Sequence, residues 1–228
     1  ETMEFEKSFA EFHDKKYAVA VNNGTNALHL IVKSMGLKAG DEVITTPFSF
    51  IASSNCLLME GVNPIFVDID RETYNMDPGK IKDKITEKTK AILPVDVFGV
   101  PCEMDKIKHI ADENNLKVIE DSCEAFGAQY KGAPIGKYAD AMAFSFFPNK
   151  QITTGEGGMI VTDNEDIYRA SRSLRNQGRN PEEGEWLRYE RMGYNCWMTE
   201  MSAAMGNVQL SRLEEILGKR KIVADRYI

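Results

Sequence analysis

Short runs of apolar, β-branched residues alternate along this chain with longer stretches in which apolar positions recur at helical spacing. The short runs, at Tyr17–Val21, Glu42–Thr46, Pro64–Asp68, Ala91–Val95, Lys117–Glu120, Ala141–Phe147 and Met159–Thr162, each predict a strand. Helices are predicted over Asn26–Met35, Ile51–Glu60, Pro78–Ile85, Met104–Asn115 and Glu165–Gln177. Such alternation is what parallel strands joined by crossover helices produce, so the expected fold is a single α/β domain with a mostly parallel sheet. Residues 176–195, rich in Gly, Arg, Asn and Glu, lack a clean period and read as a long loop before a last helical stretch, Met198–Ile228. The sequence shows no internal repeat.

In an open parallel sheet, ligands bind beyond the carboxyl ends of the strands, which directs attention to the polar residues found there. After the first strand comes Asn22-Asn23-Gly24-Thr25-Asn26, where a glycine and the N–H groups opening a helix suit a phosphate. Taken alone, the segment equally fits an ordinary capped strand-turn-helix joint. Asp121, followed by Ser122, Cys123 and Glu124, ends another strand and could hold a cationic heteroatom or simply cap a helix. Ser145-Phe146-Phe147-Pro148-Asn149-Lys150 ends a third and runs into the glycine-rich Thr153–Gly158. A lysine at such a strand end, once desolvated, can attack a carbonyl, although an isolated lysine is ordinarily a solvated charge. A phosphate cradle, a strand-end acid and a strand-end lysine are together what pyridoxal phosphate requires.

Composition narrows the setting. The 228 residues are 43% hydrophobic and 28% charged with a formal net charge of −7, typical of a soluble globular protein. Charges of both signs are interspersed, with no basic patch to track phosphates, so no nucleic-acid partner is expected. Apolar runs fall far short of the roughly 20 residues of a membrane span, and a cytoplasmic location is expected. Cys56, Cys102, Cys123 and Cys196 stand apart without a CxxC pair and read as free, largely buried thiols. His13, His29 and His109 lack ligand spacing, so no metal site is expected. Glu1–Glu6 already has helical character and the final stretch carries no stop signal, which predicts further sequence on both sides.

The segments NNGTNAL, GDEVITTPFSFIASSN, GVNPIFVDID, PVDVFGVPCEMD, VIEDSCEAFGA and FSFFPNKQITTGEGGMIVT, in this order and spacing, resemble the DegT/DnrJ/EryC1/StrS family of sugar aminotransferases. The likeness covers nearly the whole chain. It implies the large domain of the three-layer pyridoxal-phosphate transferase fold, of the aspartate aminotransferase type. Residues 1–198 would form that domain, with an active-site loop at 176–198, and residues 199–228 would begin the helix leading to a small C-terminal domain absent here. It implies that Lys150 forms the Schiff base with the cofactor aldehyde and then shuttles the proton, and that Asp121 pairs with the pyridine nitrogen. Gly24, Thr25 and Ser145, with Asn26, would bind the phosphate, and Phe50 would stack on the ring unless it is a core residue. Glu124 stands where the family often has Gln or His near the phenolic oxygen.

Gly193-Tyr194-Asn195-Cys196-Trp197-Met198 resembles the family pattern GYNYRM, with Trp197 in place of a common arginine, and Asn195 would reach across a homodimer interface into the second site. The implied reaction moves an amino group, from glutamate, to a keto group of a nucleotide-linked sugar. Three other readings compete: Lys150 argues against the first, the second stays open as the alternative, and no cysteine here is placed for the third. A related sugar dehydratase would carry histidine at position 150, a regulatory protein would keep the fold without the activity, and a desulfurase or lyase would need a cysteine in a mobile catalytic loop.

Overall fold

The computed structural model describes residues 1–180 and 188–227. In chain order the elements are α1 (Thr2–Phe12), β1 (Tyr17–Val21), α2 (Gly24–Ser34), β2 (Glu42–Thr45), α3 (Ala52–Leu58), β3 (Asn63–Phe66) and β4 (Thr89–Leu93). They continue with α4 (Met104–Glu113), β5 (Lys117–Asp121), β6 (Gln129–Tyr130), β7 (Ala133–Pro134), β8 (Ala141–Ser145) and β9 (Gly158–Thr162). The described chain closes with α5 (Glu165–Leu174), α6 (Glu200–Ser211) and α7 (Leu213–Ala224). Seven strands form one sheet in the order β1-β9-β8-β5-β4-β2-β3, in which β9 alone runs antiparallel to its neighbours.

The two-residue period of the strands sorts their side chains onto two covered faces. In β8, Ala141 and Ala143 join a cluster with Leu28, Ile31 and Val32 of α2, and Ile167 and Leu174 of α5 complete that layer. Met142 and Phe144 point the other way, into a cluster with Phe5 and Phe9 of α1 and Ala203 of α6. Towards the other edge, Ile44, Ile92 and Val118 pack against Ile107, Ile110 and Ala111 of α4. Helices therefore cover both faces, which is why β8 and β9 are buried almost throughout and read as continuous apolar runs. Gly206 lets α6 lie against α1, since a Cβ there would come within 2.6 Å of the Phe5 ring.

Several elements differ from the sequence expectation. Pro78–Ile85 is not a helix but two short 3₁₀ turns, Pro78–Lys80 and Lys82–Lys84. Gly79 weakens a helix there, and only Pro78 and Ile81 are buried, so there is no apolar stripe to hold one. The β6–β7 hairpin escaped the sequence reading although Lys131 (φ 51°) and Gly132 (φ 79°) form its two-residue turn. The last helical stretch is split at Arg212 into α6 and α7. In the 176–195 loop the limbs run antiparallel, with bridges Asn176–Asn195 and Arg179–Tyr189, while residues 181–187 lie outside the described residues.

Candidate active site

The site lies where the parallel strands end, and its first component depends on one glycine. Gly158 opens β9 and is in register with Val21 of β1 on one side and Ser145 of β8 on the other. A Cβ on Gly158 would stand 2.5 Å from the backbone carbon and oxygen of Asn23. Its absence lets the start of α2 cross over β9 and reach Ser145. Gly24 makes that contact, because a Cβ there would meet Ser145 Cβ at 2.8 Å and Cys123 Sγ at 3.2 Å. The Asn23 side chain caps α2 by accepting from the Asn26 N–H at 2.8 Å, and Asn26 Nδ2 donates to Asn22 Oδ1 at 2.7 Å. Gly24 and Thr25 are left as the first-turn residues, whose N–H groups have no carbonyl within the helix. Together with the Ser145 hydroxyl they form an anion cradle at a positive helix end.

Asp121, the last residue of β5, is buried, with Oδ2 accepting from the Ser53 hydroxyl at 2.7 Å and Oδ1 from the Cys123 N–H at 3.2 Å. Burial pushes this carboxyl up from its usual range, while those hydrogen bonds and the nearby Lys150 ammonium favour the anion. A second acid layer stands behind it. Asp96 accepts from Cys102 N at 2.9 Å and from the Ser122 hydroxyl at 3.0 Å, and burial pushes it up to about 6. Burial and the neighbouring Asp96 hold Glu120 well above its ordinary value.

Lys150 is largely buried, with its side chain 16% exposed and Nζ 3.5 Å from Glu124 Oε1. Glu124 also accepts from the Phe98 N–H at 2.9 Å, and its carbonyl accepts from Gln151 Nε2. The loops after β5 and β8 are thereby tied together. The arrangement unites an amine, a buried carboxylate and an anion cradle at one sheet edge. A planar, phosphorylated, nitrogen-containing aldehyde fits these donors: the cradle is open because two glycines lack Cβ atoms, and the Asp121 anion calls for a cation.

The sequence profile of the DegT/DnrJ/EryC1/StrS aminotransferase family matches residues 1–228. The chain belongs to this family. A GDP-perosamine synthase from Caulobacter vibrioides is 46% identical over 225 residues, covering 99% of this chain and 60% of that protein. The crystal structure of ntda from Bacillus subtilis with bound cofactor PMP superposes with a TM-score of 0.93 at 37% identity, covering 100% of this chain and 51% of that one. The structure of S. venezuelae DesV in complex with a ketimine intermediate gives a TM-score of 0.94 at 34% identity, covering 99% of this chain and 60% of that one. The chain spans 60–61% of the length of the curated GDP-perosamine synthases from C. vibrioides and Escherichia coli O157:H7.

Seen as a member of the DegT/DnrJ/EryC1/StrS family, the chain brings together Gly24, Thr25 and Ser145 on one side and Asp121, Glu124 and Lys150 on the other. Asn26 braces the helix start, its backbone N–H and side chain already engaged. The Phe50 ring is 74% exposed, which excludes the core alternative and leaves a free face for stacking. Asn195 is exposed and bridges in backbone to Asn176. The three sulfurs of Cys56, Cys102 and Cys196 are buried and Cys123 is half-buried, all free thiols. Sequence reasoning missed Ser53, Gly158 and Gln151. Gly158 sat in the glycine-rich segment, but Ser53 lies in α3 and carries no local mark of its role.

Proposed function

We propose that this chain carries the cofactor site of a pyridoxal-phosphate-dependent aminotransferase that moves an amino group, from glutamate, to a keto group of a nucleotide-linked sugar. The observation that carries the proposal is the Gly24–Ser145 cradle at the same sheet edge as the buried Asp121 carboxylate and the Lys150–Glu124 pair. Bound pyridoxal phosphate would supply an aldehyde for a primary amine and a ring able to accept the electrons of a broken C–H bond. Gly24, Thr25 and Ser145 would hold the phosphate with N–H groups and a hydroxyl, and Asp121 would hold the protonated ring nitrogen through Oδ2 or Oδ1. Lys150 Nζ would anchor the cofactor and, once freed by the amino donor, take the proton from the substrate α-carbon and return it. Phe50 would orient the ring by stacking, and Glu124 would steer Lys150 from the phenolic side.

The sugar substrate is supported by the relatives named GDP-perosamine synthase and by the structural neighbour DesI, solved in the presence of its TDP-sugar product. We place Asn195 at a homodimer interface, reaching the second subunit's phosphate site, with the exposed Trp197 beside it. Residues 1–198 would form the cofactor domain and 199–228 would lead towards a smaller one, in keeping with the greater length of the relatives. Unpaired thiols accord with a cytoplasmic enzyme, and among the described residues no helix is long and apolar enough to cross a membrane.

The test is an absorbance spectrum of the full-length protein with pyridoxal phosphate, before and after borohydride, with peptide mapping. Cofactor trapped on Lys150, and loss of the glutamate half-reaction in Lys150→Ala, are the expected results. Trapping elsewhere, or normal turnover by Lys150→Ala, would overturn the assignment.

A further inference from the structure

Beyond the strand ends, α6 and α7, which reach the sheet's α1 face through Ala203 and Leu213, grip the loop that carries Lys150. Arg220, in the third turn of α7, donates from Nη2 to the Lys150 carbonyl oxygen at 2.6 Å. Gln209 of α6 accepts through Oε1 from the Thr153 N–H at 3.3 Å. Leu217, three residues before Arg220 and so on the same helical face, packs on Gly127 in the loop that follows Asp121. A Cβ at Gly127 would lie 2.7 Å from Leu217 Cδ1, and its φ of +85° independently favours glycine. One face of α7 therefore rests on both loops of the site, the loop after β5 through Leu217 and the lysine loop through Arg220.

This seat is narrow. Within α7 only Leu213 is buried, and Ile216 and Leu217 are partly so. The Arg220 contact is charge-assisted and is directed at the main chain. It leaves the Lys150 amine untouched and acts on where the residue stands. The lysine loop itself is braced from within by Lys150 N–H to Phe147 O at 3.0 Å and by Thr153 Oγ1 to Phe146 O at 2.9 Å. Without Arg220 the Lys150 carbonyl has no anchor to any other element among the described residues.

We propose that Arg220 is a positioning residue: held by α7, it fixes the backbone of Lys150 so that Nζ stands opposite Asp121, and it makes lysine placement sensitive to how α7 is seated. The proposal rests on the reading of Lys150 as the cofactor-bearing amine. Misplacing a reacting group by a fraction of an ångström slows chemistry without weakening substrate binding. Loss of the Arg220 donor is therefore expected to lower kcat about tenfold while leaving KM for the amino donor nearly unchanged.

The experiment uses the full-length protein with Arg220→Met, which keeps the aliphatic stem but has no donor, and Arg220→Lys, which keeps one charged donor. Three readouts are compared with wild type: kcat against KM, the pH dependence of the cofactor absorbance band, and amide exchange of residues 150–157 in cofactor-free protein. Arg220→Met should lower kcat, displace the absorbance titration and speed exchange in this loop, and Arg220→Lys should recover most of each. Wild-type values for Arg220→Met in all three overturn the proposal, as does equal damage in both variants, which would reflect folding alone. If wild type itself traps no cofactor on Lys150, the reading of the site fails and the proposal falls with it; trapping in wild type with an indifferent Arg220→Met overturns the Arg220 role alone.

Discussion

The Ser53 hydroxyl donates to Asp121 Oδ2 at 2.7 Å, joining the first turn of α3 to the end of β5 across 68 positions of sequence. The bond stabilises the carboxylate against the burial that would otherwise protonate it. Ser53→Ala removes one donor from a buried anion, an effect of about 1–2 kcal/mol. We expect cofactor affinity to fall roughly tenfold, read by spectroscopic titration. In an Asp121→Asn background the same substitution should have little further effect. Additive losses in the double variant would show that Ser53 acts elsewhere.

The glycines at the cradle should tolerate no side chain. Gly158→Ala would place Cβ 2.5 Å from the Asn23 backbone, forcing α2 away from Ser145. A loss of about 1–3 kcal/mol in stability is expected, together with loss of phosphate binding. Gly218→Ala is the matched control: it lies in α7 with nothing within 4 Å of the added Cβ, and should stabilise by roughly 0.5–1 kcal/mol through helix propensity. Urea midpoints of the two variants should move in opposite directions. Equal midpoints would contradict the packing argument.

What the sequence made legible was set by locality. Asp121, Ser145, Lys150 and the Gly24 turn could be found because each follows an apolar run, and a parallel sheet gathers the ends of such runs at one edge. Their relation to one another through Gly158 depends on β9 lying between β1 and β8, which no local pattern states. Ser53 and Arg220 were hidden for a stronger reason: one is a small polar residue in a short helix, the other one of several charges on an exposed helix. Only the packing of distant segments gives either a partner. Pro78–Ile85 was misread because two apolar residues four apart suffice for a pattern but not for a buried face.

Arg175 is the next structural test. It is buried at the end of α5, pairs with Glu6 of α1, donates to the Ala20 carbonyl at 2.7 Å and stacks 4.3 Å from the Trp197 ring centre. Glu6 Oε1 also accepts from the Ala20 N–H at 2.9 Å, so one ion pair joins α1, β1 and the 176–198 loop. Arg175→Ala would leave the Glu6 carboxylate buried without its cation, at about 3–5 kcal/mol in unfolding free energy. Arg175→Ala/Glu6→Gln should recover part of that loss. Denaturant unfolding followed by Trp fluorescence measures both, and no recovery would mean that packing on Trp197 dominates.

The acid limb of stability should be set in part by His13. Its ring sits among Phe9, Phe126 and Phe144, Nδ1 donates to the Phe9 carbonyl at 3.1 Å, and burial lowers its pKa from 6.5 to about 4. Between those values the unfolded chain binds a proton that the folded chain refuses, so stability rises with pH and is lost as pH falls from 6.5 through 4. The full contribution is up to roughly 3 kcal/mol. Asp96 acts in the opposite sense: raised to about 6, it holds its proton in the fold, and its contribution is lost as pH rises from about 4 through 6. Wild-type stability alone therefore sums two opposing slopes. The difference between wild type and His13→Phe isolates the histidine, because Asp96 titrates in both. That difference should shift in favour of the variant as pH drops from 6.5 to 4, and a constant difference across this window would mean that His13 becomes protonated in the folded state as readily as in the unfolded one.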